Sequence, residues 1–224
     1  MKKKKLFATI AIVALLTISI SLISMMSLTP SFKEISGSLY KKESQTFENH
    51  TNISTDFILK TTKGKELSSQ ALRGKFLLVY FGSSYCPNTS LPHIIEMQNI
   101  LQKLYKKYAK GIIEFLFITA DPTKDTQDHL SDYFKRFDAR IIALTGDEDK
   151  TNKVLKNFKA YDILFKDKVK TSQSEGISAE PICIITGSSP FYFIGKDGEL
   201  IKHYNPYSTS LSIAKDILHY IKVS

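Results

Sequence analysis

Cysteine is scarce in this chain, with two residues, Cys86 and Cys183, among 224. No Cys/His spacing of the zinc-binding kind surrounds them. Equally missing are the nucleophile elbow of a Ser-His-Asp hydrolase and the glycine-rich loop that cradles phosphate, so hydrolase and nucleotide-enzyme chemistry has no residues to perform it. The glycine-aromatic motifs and base-reading helices of nucleic-acid modules are absent as well. The net charge of +9 does not change that exclusion. Lys2 to Lys5 supply four of the charges, leaving +5 for the remainder, and Lys103, Lys106, Lys107 and Lys110 fall on one helix face as solvated charge. There is no internal repeat.

Charge is also absent from residues 6–28, LFATIAIVALLTISISLISMMSL. The stretch is long enough to span a bilayer, which takes about 20 residues. A cleavable signal has a shorter apolar core, about 7–15 residues, closed by an A-x-A-like site. Ser24-Met25-Met26-Ser27 is a poor substitute for such a site, so the expectation is a retained transmembrane helix. The lysines ahead of it keep the amino terminus in the cytoplasm and send the rest of the chain across the membrane, to a compartment that permits disulfides. Cys86 and Cys183 can there be a pair, two free thiols or metal ligands, and spacing alone does not choose. The organisation expected is cytoplasmic lysines and anchor over 1–29, a polar flexible tether over 30–56, and one domain over 57–224.

From residue 57 onward strand and helix patterns alternate. Strands are predicted at 57–61, 76–81, 112–119, 140–144, 191–194 and 200–204. Helices are predicted at about 91–108, 126–137, 149–158 and 211–221, the first from Ile94, Met97, Ile100, Leu101, Leu104, Tyr105 and Tyr108 at spacings of three and four. The run FLLVYF at 76–81 is of the kind covered on both faces in a central strand. About 165 residues in this order suit one α/β domain with a single core. Residues 165–180 read as an inserted exposed loop.

The central strand pattern ends at Gly82 and delivers Cys86 into the polar loop Ser83-Ser84-Tyr85-Cys86-Pro87-Asn88-Thr89-Ser90, just before a helix. Helix N-termini stabilise thiolates, and so polar a loop argues for an accessible sulfur that can bind a soft metal or exchange disulfides. Asp121, Asp125 and Asp128 lie at a strand end and helix start, where capping explains them. His50, His129, His203 and His219 have no paired metal spacing and read as surface residues.

A strand ending in a cysteine loop, followed by a helix and further strand-helix units, is the arrangement of thioredoxin-like folds. Within that arrangement four collinear stretches resemble one family. They are Gly74 to Gly82 with Tyr85-Cys86-Pro87; Phe117-Ile118-Thr119-Ala120-Asp121-Pro122-Thr123-Lys124-Asp125-Thr126; Leu130 to Gly146; and Tyr192-Phe193-Ile194-Gly195-Lys196-Asp197-Gly198. Together they are similar to the Sco/SenC family of membrane-anchored copper proteins, which assist assembly of the dinuclear copper centre of cytochrome c oxidase. The resemblance implies an α/β, thioredoxin-like domain behind an N-terminal anchor. It also implies a single-pass protein of the inner membrane, with its domain on the periplasmic or equivalent mitochondrial intermembrane side, copper as the metal and oxidase assembly components as partners.

The family's ligands follow the pattern Cys-Pro-Asp-x-Cys-Pro with a distant His. Cys86 and Pro87 match it, Ser90 stands at the second cysteine and Gly187 at the His. Cu(I) prefers thiolate, with imidazole as companion, and a serine hydroxyl is a poor donor. The expected copper site is therefore weakened or rebuilt. Cys183, four residues before Gly187, offers a second thiolate or a disulfide to Cys86, which on the chain-entropy account would add roughly 4.7 kcal/mol; its Ile and Pro neighbours otherwise read as a buried strand. His93, seven residues after Cys86, is the other candidate ligand, although its helix position reads as solvent-facing. A metallochaperone rather than an enzyme is the principal expectation. The alternatives are a single-cysteine thiol redox protein and a docking protein that keeps only the fold.

Overall fold

The computed structural model describes residues 53–105, 111–166 and 183–223. The segment expected to cross the membrane lies outside them, as does most of the expected tether. Among the described residues no helix is long and apolar enough to cross a membrane.

Seven strands form one mixed sheet: β1 (Ile58–Thr61), β2 (Glu66–Ser68), β3 (Phe76–Gly82), β4 (Ile113–Thr119), β5 (Ile141–Thr145), β6 (Phe191–Ile194) and β7 (Leu200–Tyr204), in the order β2-β1-β5-β4-β3-β6-β7. The middle three run parallel, and β1 and β2 on one flank and β6 and β7 on the other are antiparallel additions. The helices are α1 (Pro87–Tyr105), α2 (Gln127–Phe134), α3 (Glu148–Asn157), α4 (Tyr161–Leu164) and α5 (Ser210–Val223).

All seven residues of β3 are buried, and successive side chains take opposite faces. Phe76, Leu78 and Tyr80 join a cluster with Ile94, Met97, Ile100 and Leu101 of α1, Leu130 of α2 and Ile213 and Ile217 of α5. Leu77, Val79 and Phe81 join the other, with Val154 and Leu155 of α3 and Leu164 of α4. Burying each such side chain stabilises by roughly 1.5–3 kcal/mol, so β3 is the most firmly placed strand and its carboxyl end a rigid platform.

Several expectations change. The helix after Cys86 begins at Pro87, several residues before the amphipathic pattern becomes visible, because proline suits the first helical position and the preceding carbonyl caps the turn. β2 and α4 are additions to the predicted elements; three and four residues carry no measurable period. Most of the expected exposed loop lies outside the described residues, but its first residue, Phe165, is buried against Tyr161, with ring centroids 4.7 Å apart. Residues 53–56 are attached to the domain: Ser54 N–H donates to Asn157 O, and Thr55, itself buried, bonds Gly198 O.

Candidate functional site

The turn from β3 into α1 is built from backbone groups. Cys86 N–H donates to Ser83 O, and Cys86 O accepts from Thr89 N–H at 3.1 Å and Ser90 N–H at 2.8 Å, closing the first helical turn. Ser90 is fully buried, and its Oγ accepts Ser83 N–H at 3.0 Å. A Cβ on Gly82 would stand 2.8 Å from that oxygen, so glycine lets the helix start press against the strand end. The serine at the expected second cysteine position is thus a buried structural group.

Cys86 is only 1% exposed and belongs to the apolar cluster with Phe81, Ile118 and Tyr192. This corrects the expectation of an accessible sulfur. Pro87 and Asn88 do face solvent, but Ser83, Ser84 and Ser90 are buried and hydrogen-bonded, and the sulfur turns inward. It is joined to Cys183 in a disulfide across 97 residues, with Cα atoms 4.8 Å apart. Of the states the two cysteines could adopt, the pair is realised, and neither is free.

Cys183 reaches this place through α4. Thr186 N–H, Gly187 N–H and Thr186 Oγ1–H all donate to one carbonyl, Leu164 O, at 2.7, 3.3 and 3.3 Å, while Ile185 packs into the core beside Cys86. The contact is close: a Cβ on Gly187 would lie 2.2 Å from Ile163 O. No histidine fits at the position the resemblance assigns to the third ligand unless the backbone moves. Cys183 itself is half-buried, with its sulfur 3.3 Å from Ile185 O.

Behind the loop sits a buried acid that sequence reading misplaced as a helix cap. The side chain that caps α2 is Thr126, which accepts His129 N–H. The Asp125 carboxylate instead accepts Ser84 N–H at 3.2 Å, the Ser84 hydroxyl, and Thr119 Oγ1–H at 2.6 Å. Desolvation raises its pKa, and the bonds from Ser84 and Thr119 oppose that shift. With the Ser84 hydroxyl donating to the carboxylate, its lone pair faces His129 Nε2 at 2.7 Å; the imidazole stacks on Tyr85, centroids 4.6 Å apart. His129 is accordingly a half-buried part of this network rather than a free surface residue. Asp121 folds back on its own turn, accepting Thr123 Oγ1–H and Lys124 N–H, and Asp128 lies in the first turn of α2 as expected.

His93 is buried, not solvent-facing, and lies among Tyr80, Phe191 and Tyr207, with Nε2 3.2 Å from Ser188 Oγ. Tyr80 and Phe191 belong to the cluster that excludes both sulfurs. Burial lowers its pKa, favouring the neutral ring. His203 and His219 meet Tyr192 and Tyr220, and His50 lies outside the described residues. Among the described residues no three His, Cys, Asp or Glu side chains converge as a metal site. The soft donors brought together are the two sulfurs, and only once their bond is reduced do they become thiolates.

Comparison with known proteins agrees with this architecture. The SCO1/SenC family model matches residues 45–222. A SCO2-like protein of Rickettsia typhi is 30% identical over 214 residues, covering 95% of each chain. The structure of yeast Sco1 with copper bound superposes with a TM-score of 0.62 at 25% identity, covering 79% of this chain and 96% of that one. BsSco, a member of the Sco family of cytochrome c oxidase assembly proteins in which a disulfide switch is identified, matches with a TM-score of 0.59 at 19% identity, over 80% of this chain and 99% of its own. At that identity the last likeness concerns the fold alone.

Proposed function

The chain belongs to the SCO1/SenC family, and from that premise we propose that it handles copper for cytochrome c oxidase assembly through a dithiol formed by Cys86 and Cys183. The observation that carries this reading is the disulfide itself: two sulfurs held in bonding contact become, after two-electron reduction, two free sulfur donors within reach of one ion. Soft thiolates select Cu(I), and an S-Cu-S arrangement needs neither Ser90 nor a residue at 187. Copper is cargo in this scheme, carried by a family site rebuilt on a displaced second cysteine. His93 is not a ligand in it. The domain works outside the cytoplasm, tethered by residues 6–28 to the inner membrane, where the disulfide survives when no copper is held. No catalytic turnover is involved.

The same bond favours a two-cysteine thiol redox protein over a single-cysteine one, because Cys183 replaces the resolving thiol that Ser90 lacks. Titration of the reduced full chain with Cu(I) against a competing chelator separates the readings. One equivalent retained, and lost in both Cys86→Ser and Cys183→Ser, supports copper handling. Disulfide turnover with no copper retained selects the redox protein. Neither activity leaves a docking protein.

A further inference from the structure

Building on the dithiol reading, we propose that the disulfide has a fixed chemical polarity: an incoming dithiol reductant attacks Cys183, and Cys86 is the leaving sulfur. Exchange requires a thiolate to reach the sulfur it attacks, and its rate rises with the acidity of the sulfur that departs. Access decides which sulfur is reached, and the position of the other at a helix start helps it depart.

Access distinguishes the two residues first. Cys86 is shielded by Phe81, Ile118 and Tyr192 and is 1% exposed. Cys183 is half-buried, and its chain neighbour Ile184, also half-buried, lines a cleft of about 360 Å³ with Pro122, Tyr161 and Phe165. Charge distinguishes them next. Cys86 sits at the amino end of the 19-residue α1, where the helix dipole offsets the cost that apolar burial places on the departing thiolate, a help that Cys183 lacks. The Cys183 sulfur lies 3.3 Å from Ile185 O, an acceptor that suits a protonated thiol and disfavours an anion.

The reductant's first thiolate forms a bond to Cys183 Sγ as the Cys183–Cys86 bond breaks, and the electron pair leaves on Cys86. The reductant's second thiol then attacks its own sulfur in the mixed disulfide. This makes the reductant's internal disulfide and releases Cys183, which takes up the proton lost by that second thiol. Two electrons pass from the dithiol to the protein disulfide. The result is a Cys86 thiolate beside a Cys183 thiol, and Cu(I) displaces the one remaining proton on binding.

The test uses the full oxidised chain in mild detergent and glutathione as a monothiol probe, which stops at the mixed disulfide. After quenching with iodoacetamide at low conversion, peptide mass spectrometry should find glutathione on Cys183 and the alkyl group on Cys86, in about tenfold excess over the reverse. The reverse pattern or an even mixture overturns the proposal. Two free thiols in the air-oxidised, denatured chain before glutathione is added would overturn it at its premise. Failure of the copper reading shows separately, as the absence of retained Cu(I) in the reduced chain.

Discussion

The two ends of one covalent bond are positioned by different means. Cys86 stands on the carboxyl end of β3, a strand buried along its whole length, and its loop is tied to Ser90 and to Asp125 by buried hydrogen bonds. Cys183 stands on an irregular segment held by donors converging on Leu164 O and by the lack of a side chain at Gly187. One sulfur is placed by the sheet, the other by a single turn of helix packed at its end. The bond therefore joins a position set by the sheet to one nearly a hundred residues along the chain, and it depends on the local contact that returns the second to the first.

Breaking the bond between the two regions should have the largest effect. Cys183→Ser is expected to lower unfolding free energy under oxidising conditions by about 4–5 kcal/mol, the value for a closed loop near 100 residues. Chemical denaturation checks this, and reductant should bring the wild type to the variant's level while leaving the variant unchanged.

The tethered side alone is tested by Gly187→Ala, which forces a methyl against the Ile163 carbonyl. A loss of about 3 kcal/mol, at the top of the overpacking range, is expected in the same assay. Gly187→His should likewise fail to raise Cu(I) affinity.

The scaffolded side is tested by Asp125→Asn, which leaves one of three donors facing an amide nitrogen and should lower stability by about 2 kcal/mol. Burial raises this carboxyl above its ordinary 3.8, so the folded protein holds the proton more tightly than the unfolded chain. That contribution is complete below pH 3.8 and is lost as pH rises through the folded value, so the stability difference between wild type and variant should shrink with rising pH across the acid range.

The smallest effect is expected outside both regions. His93→Phe keeps the ring contacts and removes the hydrogen bonds to Ser188 Oγ and to the Pro206 backbone, so stability should fall by about 1–2 kcal/mol, with Cu(I) affinity unchanged by chelator competition.

Sequence reading located the first region well and the second poorly, for a physical reason. The strands β3, β4, β6 and β7 agree with their predicted bounds to within a residue, since apolar runs bounded by polar turns declare themselves. Cys86 at the strand end was legible in the same way. Its burial was not, because Ser83, Ser84 and Ser90 look like solvent-facing residues until their hydrogen bonds are known. Asp125 carried two meanings at one position, and only the proximity of Ser84, 41 residues away, separates them. The Cys183 contact depends on the four-residue α4 and on a glycine whose neighbour is a backbone carbonyl, neither of which leaves a periodic trace. The available hint was the spacing of Cys183 four residues before Gly187, which raised the pair as one option among several.

X-ray absorption at the copper edge, on the reduced full chain loaded with one equivalent of Cu(I), tests most directly whether both sulfurs act on one ion. A first shell of two sulfurs and no nitrogen is predicted, reverting to one sulfur or to no retained copper in Cys183→Ser. A nitrogen donor in the shell, or a spectrum that Cys183→Ser leaves unaltered, would contradict a site rebuilt from Cys86 and Cys183.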